Sequence, residues 1–253
     1  GQFPVISLTL RSMKQATWEL SFEMLKKAIR EEYSRHWKTV EASGRLNDAD
    51  RERFQRIRDL KGTDADYADA LKFLSECLYI CTGRKTIILI DEYDVPLENA
   101  HFAGFYEQMT ALLRSLFESA LKTNENLEFA VMTGCLRISR ESILTGLNNL
   151  KIMSITADTC AEYFGFTPDE VEAMLRFYDL EMNLKTVQRW YDGYQFGSTE
   201  VYNPWSVINY VQSCRTNKDA FARPYWSNTS SNSIVPTLVE KADLSVKQEI
   251  EAL

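Results

Sequence analysis

A chain of 253 residues holds one large domain or two small ones, and 45% hydrophobic with 26% charged residues is the make-up of a folded, water-facing protein. The formal net charge of −7 excludes broad electrostatic binding to DNA or anionic membranes, so nucleic acid is not expected as a partner of this segment. No apolar run approaches the roughly 18 residues of a membrane span, and five scattered cysteines without a C-x-x-C pair point to reduced thiols in a cytoplasmic protein.

The start, Gly1-Gln2-Phe3-Pro4, lacks both a signal-peptide pattern and an initiator Met, and reads as the scar of a cleaved tag on a piece of a longer protein. Val5–Leu10 is short, β-branched and partly alternating, which predicts a strand. From Thr17 to Val40, Trp18, Phe22, Leu25, Ile29, Tyr33 and Trp37 recur at helical steps. A polar helix is predicted from Asn47 to Leu60; its basic run, Arg51, Arg53, Arg56, Arg58 and Lys61, reads as a solvated face. Tyr67, Leu71, Leu74, Leu78 and Cys81 mark a third helix, stopped by Gly83, with Cys77 and Cys81 as small buried hydrophobes.

Thr86–Ile90 is continuously apolar, as in a parallel strand covered on both faces. A helix from Phe102 to Lys122, a strand Leu127–Thr133, a helix around Ser139 to Leu147 and a last strand Lys151–Thr156 complete an α/β alternation. Beyond it the sequence turns helical. Thr167-Pro168-Asp169-Glu170 combines N-cap, Pro at the first helical position and capping-box Glu, and Asn203-Pro204 opens another helix. The expected organisation is an α/β core at 1–157 and a helical, lid- or winged-helix-like subdomain at 158–253.

The chemically informative segment is Ile87-Ile88-Leu89-Ile90-Asp91-Glu92. In an open α/β sheet ligands bind beyond the carboxyl ends of the strands, where this acid pair emerges. With extended geometry the two side chains point to opposite sides and do different work. Asp91 can hold magnesium through hard oxygen and water ligands, and Glu92 can orient an attacking water. The competing reading is simple solvation of a strand end. The aromatics Trp190, Tyr191, Tyr194, Phe196, Tyr202 and Trp205 form either a ligand face or the packing of the helical subdomain.

The string Ile90-Asp91-Glu92-Tyr93-Asp94-Val95-Pro96-Leu97 resembles the bacterial AAA-ATPase-like family, whose acid pair is a Walker B motif. So do Thr133–Ile143, Thr145–Leu150, Trp190–Gly197, Val201–Val207 and Tyr225–Ser230, in order along nearly the whole chain. The resemblance implies a P-loop NTPase-like parallel sheet flanked by helices, with ATP and Mg2+ as ligands of the full-length parent. It implies Asp91 as the magnesium residue, Glu92 as the catalytic carboxylate that activates water, Thr133 as a sensor of the γ-phosphate, and Arg137 or Arg140 as a source of positive charge. An Arg opening a helix is also a common surface ion pair.

The phosphate-gripping G-x-x-x-x-G-K-[S/T] is absent from these 253 residues. Gly83-Arg84-Lys85-Thr86 precedes a strand instead of following one, and reads as a helix stop. In the family that loop lies before the strand at Val5–Leu10, so the expectation is a fragment without the first strand, the phosphate loop or the nuclease-like domain that often follows. The leading function is the core of an ATPase-like domain, impaired in this fragment. The alternative is a non-enzymatic interaction or regulatory module, coupled to that nuclease-like domain and binding a protein partner or itself. A nucleic-acid-handling regulator is a third reading.

Overall fold

The computed structural model describes residues 2–135, 147, 150–218 and 220–226. The chain divides into two compact units, Gly1–Leu150 and Lys151–Leu253. No helix among the described residues is long and apolar enough to cross a membrane.

The first unit is an α/β fold of the class expected, a parallel sheet with flanking helices. Its strands are β1 (Val5–Thr9), β2 (Thr86–Asp91) and β3 (Leu127–Met132), in the order β1-β2-β3. Parallel neighbours need crossovers, and helices provide them. Helices α1 (Trp18–Ser43), α2 (Asp48–Arg58), α3 (Asp64–Ala68) and α4 (Ala70–Thr82) join β1 to β2. Helices α5 (Val95–Ala103) and α6 (Tyr106–Leu121) join β2 to β3. The third expected helix is therefore two, parted at Asp69. The helix expected from Phe102 is α6, and α5 precedes it. Most of the helix expected at Ser139 to Leu147 lies outside the described residues.

Alternation along the strands decides what each face of the sheet carries. Ile6, Leu8, Ile88 and Ile90 are buried, with Ala130 and Met132 packed beside them against the buried stripes of α1, α4 and α6. The opposite face carries Ser7, Thr9, Leu89, Phe129 and Val131, all exposed, with Phe129 60% accessible. The two sheet edges also differ. Along β1, side chains of α1 take the place of a neighbouring strand: the Ser7 amide donates to Glu32 (2.9 Å), and Arg35 donates to the Val5 carbonyl (2.5 Å). His36 Nε2 lies 3.0 Å from the same carbonyl. Burial first, then the Arg35 charge, lower the His36 pKa, which favours a neutral ring donating from Nε2.

Three members of the basic run are engaged with the fold instead of simply solvated. Arg53 donates to Asp66 (2.9 Å) and Asp69 (2.5 Å), Arg56 donates to Asp66 (3.3 Å), and the Arg58 guanidinium covers the Trp37 ring at 4.2 Å. Asp66, three residues from a strong N-cap, closes a capping box with Thr63, so one carboxylate ties α2 to the start of α3. Spacing within α2 could not show this, because the partners lie 10 to 16 residues away. Cys77 and Cys81 are buried as expected.

The second unit contains α7 (Pro168–Phe177), α8 (Leu184–Tyr191), a hairpin of β4 (Tyr194–Phe196) and β5 (Thr199–Val201), and α9 (Pro204–Thr216). The caps at Thr167 and Asn203 form as expected. Lys151–Thr156 is not a strand; the carbonyl of Ile155 instead accepts the Gly197 amide (2.8 Å). An alternating apolar stretch becomes a strand only where a ladder partner receives it, and none does here among the described residues. Gly197, at φ +54, opens the tight turn of the hairpin, and Asp158 fastens that turn by accepting from the Ser198 amide (2.7 Å) and hydroxyl (2.8 Å). The core is Val171, Leu175, Val187, Tyr191, Tyr202, Val207 and Tyr210.

Candidate functional site

The sheet brings the carboxyl ends of all three strands together. Asp91 is the last residue of β2, paired in register with Thr9 of β1, and Thr133 follows the end of β3. The Thr133 hydroxyl donates to Asp91 Oδ1 at 2.6 Å, and the Thr9 hydroxyl reaches Asp91 Oδ2 at 3.4 Å. Backbone bonds fix the arrangement: Thr133 N–H donates to the Ile90 carbonyl (2.9 Å), and Tyr93 N–H to the Thr133 carbonyl (3.0 Å). The Asp91 carboxylate is exposed at the tip of a strand whose other end is buried.

Glu92 departs from the extended geometry expected of it. Its φ is +54, a left-handed conformation unusual for a residue with a β-carbon. The chain turns there instead of continuing the alternation, and Val95 N–H closes back on the Glu92 carbonyl (3.2 Å) as α5 begins. The Glu92 carboxylate lies 3.8 Å from the guanidinium of Arg11, a largely exposed pair of small energetic weight. The turn is tightly packed: a β-carbon on Gly134 would come within 2.7 Å of the Tyr93 ring and 2.8 Å of Asp94 Oδ1.

Among the described residues, acidic charge dominates beside Cys135. After burial, the charges of Asp94, Glu92, Glu98 and Asp91 push the Cys135 thiol above its ordinary pKa. Such a field favours a cation. Among the described residues no group of three or more His, Cys, Asp or Glu forms a ready metal cage.

Of the site residues expected from sequence, Asp91, Glu92 and Thr133 are brought together, whereas Arg137 and Arg140 lie outside the described residues. Thr9 and Arg11 were missed. The signal for Thr9 was present: Ser7 and Thr9 are polar alternate residues on one face of an otherwise apolar strand.

A family model described as AAA-ATPase_like, "Predicted AAA-ATPase", matches residues 1–144. A relative described as "Uncharacterized protein in vnfD 5'region", from Azotobacter chroococcum mcd 1, is 28% identical over 158 residues. That match covers 62% of this chain and 29% of the relative, so it spans less than a third of that protein's length. No solved structure matches the chain.

Proposed function

The chain belongs to the AAA-ATPase-like family of predicted AAA-ATPases, matched over residues 1–144, and from that membership we propose that Asp91, Glu92 and Thr133 form the magnesium and water side of a Mg-ATP site in the full-length protein. The observation that carries the reading is an exposed carboxylate at a strand tip, held by the Thr133 hydroxyl at 2.6 Å and, among the described residues, with no basic side chain within ion-pair distance.

The donor set fits magnesium. One carboxylate flanked by two hydroxyls supplies hard oxygens, and magnesium is commonly held by one or two carboxylates together with waters and substrate phosphates. Bound there, the ion would neutralise charge on the phosphates. Asp91 would hold it, with Thr133 and Thr9 fixing the carboxylate's orientation. Glu92 accepts the proton side of an attacking water; its weak pairing with Arg11 leaves it free to turn. Thr133 senses a terminal phosphate by passing its hydrogen bond from Asp91 to a phosphate oxygen. Arg137 is the candidate for a second positive charge. The 253 residues hold no glycine-rich phosphate loop, so this chain alone binds ATP weakly.

In the full-length protein, Glu92→Gln is expected to leave Mg-ATP binding intact and slow hydrolysis by about 100-fold or more. Asp91→Asn should weaken binding of Mg-ATP more than of magnesium-free ATP. Hydrolysis unchanged by Glu92→Gln removes Glu92 from the water-activating role, and a full-length protein that hydrolyses no ATP overturns the enzymatic reading in favour of a non-enzymatic interaction module.

A further inference from the structure

The second unit contains a cavity of about 430 Å³ formed by the end of α8, the start of β4, the start of α9 and the segment at 224–226. That volume falls in the range of small-molecule sites, about 300–1,000 Å³. Three large aromatic side chains line it while remaining about half exposed: Trp190 at 50%, Tyr194 at 47% and Trp226 at 47%. Neighbouring aromatics behave differently, since Tyr191, Tyr202 and Tyr210 are buried in the core of the unit.

The cavity is a built feature. The Tyr191 hydroxyl donates to the Arg223 carbonyl (3.1 Å) and accepts the Arg223 amide (3.1 Å), fastening the segment that carries Trp226 to α8. Burial raises the Tyr191 pKa to about 12, so this two-way anchor keeps its proton at neutral pH. A second tie joins Tyr225 to Ser213 of α9 at 2.9 Å.

Charge selects the ligand class. Among the described residues, Asp192 is the one formally charged residue lining the cavity, in a chain of net charge −7. The N-terminus of α9 opens into the same space, but the Asn203 side chain already accepts the Ser206 amide (2.9 Å). A full carboxylate charge also outweighs the roughly half charge of a helix terminus. Aromatic faces beside an acid attract ammonium and guanidinium groups.

We propose that this cavity binds an organic cation, whose ammonium or guanidinium group sits against Asp192 and whose carbon skeleton lies among Trp190, Tyr194 and Trp226. The ligand is a free small molecule or the tip of a lysine or arginine on a polypeptide.

The test follows the indole N–H signals of Trp190 and Trp226 by NMR as the chain is titrated with four probes: choline, its neutral isostere 3,3-dimethylbutanol, arginine amide, and a glycine peptide bearing one arginine. Saturable shifts are expected with the cations and not with the neutral alcohol. Asp192→Asn should weaken cation binding about tenfold, and Trp190→Leu by about three- to tenfold. Both are exposed positions, and circular dichroism verifies their folding. The peptide binding at least tenfold tighter than arginine amide assigns a polypeptide ligand; equal affinities assign a free one. Equal binding of the neutral isostere, cation affinity unchanged by Asp192→Asn, or no saturable shift with any cation overturns the proposal.

Discussion

Two aspartates in the first unit meet opposite fates. Asp66, nearly buried, accepts from Arg53 (2.9 Å), Arg56 (3.3 Å) and the Thr63 amide (2.9 Å). The carboxylate of Asp91, exposed at a strand tip, has only hydroxyl partners among the described residues, Thr133 (2.6 Å) and Thr9 (3.4 Å). A carboxylate whose charge is met by arginines contributes to the fold, because it joins elements and pays its desolvation through hydrogen bonds. A carboxylate oriented by neutral donors and set among other acids retains its capacity for an external cation. The difference separates a structural acid from a candidate ligand-binding one without reference to any bound group.

The comparison breaks most visibly at Asp66. Asp66→Ala leaves Arg53 with Asp69 alone and Arg56 with only a 3.8 Å contact to Glu52, and removes a helix cap, so urea unfolding of the first unit is expected to show a loss of about 3 kcal/mol. A loss below about 1 kcal/mol would place Asp66 with the surface acids.

Acid titration sharpens the contrast next. Burial alone would raise the Asp66 pKa; the Thr63 amide and the Arg56 and Arg53 bonds more than offset that and hold it at about 2, against 3.8 for an unperturbed aspartate. The folded value is the lower one, so the unfolded chain binds the proton more readily. The stabilisation is therefore complete above the unfolded value and is lost as pH falls from about 5 towards 2. It amounts to about 2 kcal/mol. Urea midpoints compared at pH 5 and pH 3 should fall for the native sequence, and fall less for Asp66→Asn.

The smallest effects belong to the tip. Thr133→Val keeps the side-chain shape and removes both the bond to Asp91 and the acceptor of the Glu92 amide (3.3 Å), which Asp91→Ala leaves in place, for an expected cost of about 1 kcal/mol. Asp91→Ala should change stability by less than about 0.5 kcal/mol. A large loss from Asp91→Ala would make it a structural residue after all.

Much of the fold was legible because its signals are local. The hydrophobic stripe Phe22, Leu25, Ile29, Tyr33 recurs at helical spacing and is the buried face of α1. Gly83 stops α4 in a left-handed conformation, and Thr167 and Glu170 close their capping box, since each depends on residues within one turn. The apolar run ending at Asp91 marked the central strand and its acid tip. Other features escaped for an equally physical reason. Residues 151–156 read like a strand but have no ladder partner among the described residues, and α5 begins where Glu92 takes a left-handed turn that no propensity announces.

The sequence by itself determined the α/β class, the helix caps and the position of the Asp91–Glu92 pair, all consequences of contacts between residues a few places apart. Tertiary structure alone decided that Thr9 and Thr133, 82 and 42 residues from Asp91, hold its carboxylate, and that α1 side chains seal the edge of β1. It also decided which aromatics of the second unit are buried and which line a cavity beside Asp192. Such pairings depend on loop closure and strand register, which hydrophobic periodicity constrains only by face and not by partner.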